Sequence, residues 1–305
     1  MSMKKLLITG AGPNGITGRL AKQYFEDRYE VLTPSSVELD LTDSTQVSEY
    51  FRRNKIDYVL HCATFRNKIS NQCTFANTLL NSNLRMYFNL AAEEANIEKI
   101  VYLGSGAEYD KSRSICYLKE EDFGKSIPKD DYGLSKYIMT LHARQSKKIV
   151  NLRLFGTISP FEKPTKNVIS NLCVKAVKGA PLELNRNCRF SFAFIPDVFP
   201  IIEHMLSNKV KYHDYNVAMP STYLLSDIGE MIADIAAQRS CHCQQHVAFK
   251  EPGISNEYSC DCQRLMKEIV VPQTSIYDAI KAVYDHYESI IDEVSIEGID
   301  NRWSV

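Results

Sequence analysis

The sequence predicts an α/β protein built on a doubly wound parallel sheet, with a second, smaller mixed α/β unit toward the C-terminus. Three observations predict it. Short apolar runs alternate with helical stretches through the first half, the first run ends in a cluster of glycines, and beyond Gly156 the alternation gives way to helices separated by polar loops. A chain of 305 residues with 44% apolar side chains can bury a sizeable core. The expected division is residues 1–160 and 161–305, part of the second stretch returning to the sheet of the first.

The elements follow in order. Lys5-Leu6-Leu7-Ile8-Thr9 has the look of a buried parallel strand. A helix is expected from Gly18, with Leu20, Tyr24 and Phe25 on one face, and Tyr29–Thr33 forms a second strand stopped by Pro34. An Asp/Thr-rich turn then leads into a helix showing Val47, Tyr50 and Phe51 on one side. Tyr58–Ala63 is the next strand, and a long helix over about 78–95 precedes the strand Lys99–Leu103. Asp131-Tyr132 opens a helix running to about Arg144, and Ile149–Phe155 is again a strand. Later helices are expected near 167–178, 197–207, 226–237 and 275–292.

Composition excludes several functions. Thirty-six Lys and Arg against 37 Asp and Glu supply no broad positive field for a phosphate backbone, so nucleic acid is not an expected partner. No apolar run is long enough for a signal peptide or a membrane span, and nine cysteines, an odd number scattered through core-like segments, suit reduced thiols. A cytoplasmic protein with no membrane partner is expected.

Glycine is scarce, 13 in all, yet four fall between Gly10 and Gly18. In a strand–loop–helix context, backbone N–H groups at the helix start can face a pyrophosphate whose approach a side chain would block. Gly10, Gly12, Asn14, Gly15 and Ile16 are therefore candidate cofactor residues; a plain Gly-Pro-Asn turn is the alternative. An acidic residue at the end of the second strand would hold the ribose hydroxyls of NAD(H), whereas this chain has Thr33-Pro34-Ser35-Ser36. NADP(H) is the expected cofactor rather than NAD(H), with Arg19, Ser35 and Ser36 as phosphate partners. Asp40 and Leu41 are placed toward the adenine, although capping of the following turn explains Asp40 equally well.

Tyr132-Gly133-Leu134-Ser135-Lys136 places a tyrosine and a lysine four apart on one helical face. An ammonium beside a phenol favours the phenolate and brings its pKa down from about 10, so the phenol can deliver or take a proton near neutral pH. Ser105, at the end of the preceding strand, is the expected hydrogen-bonding partner of the same substrate oxygen.

With these pieces in view, the chain resembles the extended short-chain dehydrogenase/reductases of the NAD-dependent epimerase/dehydratase family, which act on nucleotide sugars. The glycine loop, Leu39-Asp40-Leu41-Thr42-Asp43, His61-Cys62-Ala63, Asn83 with Asn89-Leu90, the Ser105 strand, Tyr132-Gly133-Leu134-Ser135-Lys136 and Leu152-Arg153-Leu154-Phe155-Gly156 occur in the family's order. GSGAEYD, NLRMYFNL and DDYGLSKYIM further resemble a branch near CDP-abequose synthase-like reductases. The resemblance implies a Rossmann-type fold, with Tyr132 as general acid or base, Lys136 lowering its pKa and holding the nicotinamide ribose, and Ser105 orienting the sugar oxygen. It places Gly10, Gly15 and Gly18 on the pyrophosphate and Cys62, Ala63, Asn83 and Phe155 along the cofactor. It makes His61 a packed strand residue rather than a base. One departure concerns the loop: the family spaces its glycines as GxxGxxG, whereas four residues separate Gly10 from Gly15.

The family's dehydratases would carry an Asp-Glu pair at Gly106 and Ala107, and its epimerase-reductases an acid/base cysteine at Ala107. Neither is present. Two chemistries are left, NADPH-dependent reduction of a 4-keto-6-deoxy nucleotide sugar for bacterial surface polysaccharide and a 4-epimerisation that keeps NAD bound; the absence of an acid after the second strand favours reduction. A non-catalytic NADP-binding regulator is a rival that predicts loss of Ser, Tyr or Lys, and all three are present. Gly106, Ala107, Asn171 and Arg189, with Ser105, are candidate contacts for a nucleotide-diphosphate sugar. Phe190 and Ser191 replace the family's Arg-Asp pair. Family members commonly form homodimers through two long helices, here those containing Asn83 and Tyr132. Cys241-His242-Cys243, His246 and Cys260-Asp261-Cys262 suggest a metal, but one residue between cysteines is too few for a zinc knuckle, and no metal is expected.

Overall fold

The computed structural model describes residues 3–65, 79–239, 246–270 and 273–299. In the first stretch β1 (Lys5–Thr9), α1 (Ile16–Phe25), β2 (Glu30–Leu32), α2 (Ser44–Asn54), β3 (Tyr58–His61), α3 (Leu79–Ala91) and β4 (Lys99–Ser105) alternate strictly. Then come β5 (Ile115–Leu118), α4 (Asp131–Ala143), β6 (Ile149–Leu154), β7 (Thr157–Ile158), α5 (Val168–Val177), β8 (Glu183–Leu184), β9 (Arg189–Ser191) and β10 (Ala193–Phe194). The chain ends through α6 (Ile195–Ser207), β11 (Asp214–Val217), β12 (Thr222–Leu224), α7 (Leu225–Gln238), β13 (Ala248–Phe249), β14 (Tyr258–Cys260), α8 (Gln263–Glu268) and α9 (Ile276–Ser289).

Six strands form one parallel sheet in the order β11-β6-β4-β3-β1-β2. Its central strands are apolar on both sides because helices cover both faces. Leu6, Ile8, Leu60, Val101, Leu152 and α6 make one core; Leu7, Val59, Ile100, Tyr102 and α2–α4 make the other. The chain leaves β1 toward β2 on one side and returns to β3 on the other, so the strand order reverses between β1 and β3. In open α/β sheets ligands bind outside the C-terminal strand ends at such a point.

A four-stranded sheet, β12-β9-β14-β5, closes over the C-terminal end of β4, and α5, α7 and α9 pack a separate core beneath it. The chain crosses residue 160 in both directions. Strand β5 leaves the first half for the second sheet, while α6 and β11 return to the first. Of the elements it names, sequence reading places most within two or three residues; β5, β7–β14 and α8 it leaves unassigned. It starts α1 two residues late, and it extends the helix after residue 78 to 95, where α3 ends at Ala91 and a 3₁₀ turn covers Glu94–Asn96. No helix among the described residues is long and apolar enough to cross a membrane.

Candidate active site

Asp43 and Asp130 show how locally each helix is set. Asp43 accepts from the Thr45 and Gln46 N–H groups, and Asp130 accepts from Gly133 N–H at 2.9 Å. Helix α1 differs, for Gly15 stands at its N-cap with no side-chain cap and no acid follows in the first turn. An anion placed there would face its first N–H groups and the positive end of its dipole.

The glycine loop explains its own composition. Gly10 has φ +74°, and a Cβ there would come within 2.7 Å of Ala63 N, at the end of β3. A Cβ on Gly15 or Gly18 would collide with the Gly10 carbonyl. These three glycines pack β1, β3 and α1 together, and the residue extra to the family spacing is absorbed in an exposed turn closed by Gly15 N–H on Gly12 O at 2.8 Å. Gly12 stands apart: nothing lies within 4 Å of a Cβ placed on it. That open space, beside the uncapped helix start, fits a dinucleotide pyrophosphate. Lys163 Nζ reaches the loop on Asn14 Oδ1 at 3.1 Å.

After β2, Ser35 and Ser36 are exposed near the end of the strand, and Arg19 is exposed on α1. Glu38, absent from the sequence reading, closes this turn: its carboxylate accepts from Ser35 N–H at 2.8 Å while its own N–H donates to Ser35 Oγ at 3.3 Å. The Ser-x-x-Glu spacing of a capping box carries the signal. Asp40 accepts from the Thr42 N–H and hydroxyl, so its carboxylate caps the turn, and Leu41 is buried. Asn83 is buried on α3 and clamps the Phe65 backbone, accepting from its N–H at 2.8 Å and donating to its carbonyl at 3.3 Å. His61 is buried with Nδ1 on Thr9 Oγ1 at 2.8 Å; burial brings its pKa down to about 3, so the ring is neutral. Burial likewise pushes the Cys62 thiol up to about 12.

Ser105 ends β4, and α4 carries the other two groups. Lys136 is 2% exposed, and its ammonium donates to the Leu103 carbonyl at 2.8 Å. Burial lowers its pKa to about 8, against the opposing pull of Glu108 and Cys62. Tyr132 lies one helical turn earlier, half-buried. Gly133 lets α4 approach closely, because a Cβ there would meet the Ala107 carbonyl at 2.7 Å.

Ser105 is fixed by a capping box with Glu108. Its N–H donates to Glu108 Oε1 at 3.0 Å and its hydroxyl accepts from Ala107 N–H at 3.2 Å. Glu108, wholly buried, also accepts from the Thr140 hydroxyl and Arg153 Nε, each at 2.7 Å, and from Asn151. Arg153 in turn reaches Asn216 at 3.0 Å and Asp214 at 3.2 Å. Although burial pushes the Asp214 carboxyl upward, Arg153, Arg144 and Arg264 hold it below its ordinary range. The sequence reading left Glu108, Arg153 and Asp214 out of the site.

Gly106 and Ala107 are buried. A Cβ on Gly106 would meet the Phe155 ring at 2.6 Å, which leaves no room for an aspartate at this position. Phe155 is buried against Tyr258, ring centroids 5.0 Å apart. Asn171 is wholly buried in α5, and Arg189 lies partly open on β9 near Thr222. Cys241, His242 and Cys243 lie outside the described residues; among those described, no His/Cys/Asp/Glu group could hold a metal, and Cys260 and Cys262 face each other at 3.6 Å in the core.

A glycine loop at the sheet's switch point, opposite a tyrosine and a buried lysine one turn apart, defines a nicotinamide-dependent oxidoreductase. The description of the NAD dependent epimerase/dehydratase family matches residues 6–218, and the chain belongs to that family. It is 26% identical to the GDP-L-colitose synthase of Yersinia pseudotuberculosis over 254 residues, 76% of this chain and 82% of that protein. Among solved structures it resembles a GDP-mannoheptose C4 reductase from Campylobacter jejuni with NADP bound, at a TM-score of 0.77 and 18% identity over 94% of this chain and 99% of that one. It also resembles the UDP-glucose 4-epimerase of Thermus thermophilus in complex with NAD, at a TM-score of 0.72 and 20% identity over 93% and 98% of the two chains.

Proposed function

We propose that the protein reduces the 4-keto group of a 4-keto-6-deoxy nucleotide sugar with NADPH, in the making of a bacterial surface polysaccharide. The observation that carries this reading is Lys136, a buried ammonium held on the Leu103 carbonyl one helical turn from Tyr132. Its charge favours the Tyr132 phenolate left after proton transfer. Ser105 positions the sugar oxygen and Tyr132 protonates it as reduction proceeds. Bound NADPH would supply the hydride to the sugar C4. Gly10, Gly12, Asn14, Gly15 and Ile16 would hold its pyrophosphate, and Arg19 its 2′-phosphate.

The relatives support the coarser part of this reading: two of the three compared proteins are named for GDP sugars, and one of these is a C4 reductase with NADP bound. The crowded Gly106 and the buried Ala107 methyl support reduction over dehydration or C3/C5 epimerisation, since neither position offers a proton-transfer group. In this reading residues 1–160 carry most of the cofactor and catalytic groups, and 161–305 mainly the sugar nucleotide, with the partly open Arg189 among its contacts, whereas Asn171, wholly buried in α5, is withdrawn as one. Phe88 on α3 and Leu141 on α4 are 38% and 43% exposed on helices joined by the Tyr87–His142 hydrogen bond, a face suited to a homodimer. A cytoplasmic location is part of the proposal.

Stopped-flow absorbance at 340 nm with GDP-, CDP-, dTDP- and UDP-linked 4-keto-6-deoxy sugars tests it. One of them should consume NADPH stoichiometrically; a protein that binds NADPH yet consumes none with any of them contradicts the reading.

A further inference from the structure

Glu108 touches both the strand end that carries Ser105 and the helix that carries Tyr132 and Lys136, and the mechanism above gives it no part. One of its oxygens accepts from the Ser105 N–H at 3.0 Å, the other from the Thr140 hydroxyl at 2.7 Å. Thr140 is buried on α4, one helical turn beyond Lys136 and on the same face. Gly104 makes the room: a Cβ there would collide with Glu108 Oε1. Asn151 and Arg153, both on β6, hold the same carboxylate at 3.1 and 2.7 Å.

The polarity of these contacts is fixed. A carboxylate only accepts, so the single hydrogen of the Thr140 hydroxyl goes to Glu108, and its two lone pairs are left for Asn151 Nδ2, at 2.7 Å, and the Tyr102 hydroxyl of β4. Thr140 is thus fully used in joining α4 to the sheet. Lys136 on the Leu103 carbonyl fastens the helix to β4 at one point. Glu108 with Thr140 adds a second point one turn along, and two points set the register of a helix on a strand where one does not. We propose that Glu108 is a positioning residue: by bridging the Ser105 N–H and Thr140 it sets the end of β4 against α4, and so fixes the separation of Ser105 and Tyr132, between which the sugar oxygen has to sit. Small errors in such a separation cost rate, because the reacting groups must be held within a fraction of an ångström of the productive geometry.

The kinetic part of this inference rests on the reductase reading; the structural part does not. Glu108→Gln keeps the shape: its amide oxygen still accepts from the Ser105 N–H, but its NH₂ group cannot accept from Thr140. Thr140→Val cuts the same link from the helix side and leaves the carboxylate on Arg153, so it carries the test alone if Glu108→Gln does not fold. In turnover of the active keto-sugar, at a temperature where denaturation shows each variant folded, each should lower kcat by about tenfold, the weight of one hydrogen bond, and leave KM for NADPH within about twofold. The double variant should lose no more than Glu108→Gln alone. Crystal structures of the wild type and Thr140→Val with NADP(H) bound should differ by about 0.5 Å or more in the separation of Ser105 and Tyr132. Folded variants with the wild-type kcat overturn the proposal, as do losses that multiply in the double variant or a separation that Thr140→Val leaves unchanged. If the wild type reduces no keto-sugar, the reductase reading falls and the comparison of separations alone decides the role of Glu108.

Discussion

Lys136 carries a positive charge where the protein has removed water, and the fold is less stable for it. Its pKa falls from 10.5 to about 8 by burial, so between those values the unfolded chain binds more protons than the folded one. Stability therefore rises with pH through that window, and the penalty is fully present below pH 8. Lys136→Met should abolish turnover yet raise the melting temperature at pH 7, and that gain should shrink from about pH 8 upward. Denaturation followed at pH 7 and pH 9.5 checks both signs. The Ser, Tyr and Lys positions were legible because they sit on local signals, a strand end and an i, i+4 pair. Glu38 and Glu108 were also written in the sequence, each three residues after a serine in a capping box. The approach of Tyr258 to Gly106 was not, since it spans 152 residues of chain and no spacing announces it.

The elements divide into those dictated locally and those that depend on distant partners. β1 matches its sequence bounds at both ends because an apolar run and a glycine leave little choice. The glycines of its loop separate into structural and functional members. Gly15→Ala should destabilise the fold by about 1–3 kcal/mol through overpacking, whereas Gly12→Ala should leave stability within about 0.5 kcal/mol and weaken NADPH binding. Urea titration and fluorescence titration with NADPH separate the two effects. β9, β12 and β14 have three residues each and pair across long stretches of chain, so periodicity had nothing to show there. The end of β4 is tied to β6 and β11 by ions as well as by apolar packing: Arg153 bridges Glu108, just after β4, and Asp214 with all three side chains buried. Arg153→Leu leaves the Glu108 carboxylate without a counter-charge in the interior, while Asp214 keeps Arg144 and Arg264, and should cost about 3–5 kcal/mol, measured by chemical denaturation.

At the scale of the whole molecule, the two layers meet where the chemistry is proposed. The parallel sheet brings the glycine loop, Ser105 and α4 to one side of the crevice, and β9, β14 and β5 close the other side over Phe155. The fold class and most of the first sheet could be read from alternating runs, but the interleaving could not: β5 departs from the first half and β11 returns to it, and only the assembled sheets show this. The interleaving places Tyr258 against Gly106 and Phe155, so the second layer packs on the strand end that carries Ser105. The central claim is net reduction, in which one hydride leaves the cofactor for the sugar C4 and stays there. NADPH carrying deuterium at the transferred position, incubated with the active 4-keto sugar and followed by mass spectrometry and 340 nm absorbance, tests it most directly. The account predicts one deuterium per sugar product and one NADP⁺ formed for each; unlabelled product with no net loss of NADPH would contradict it.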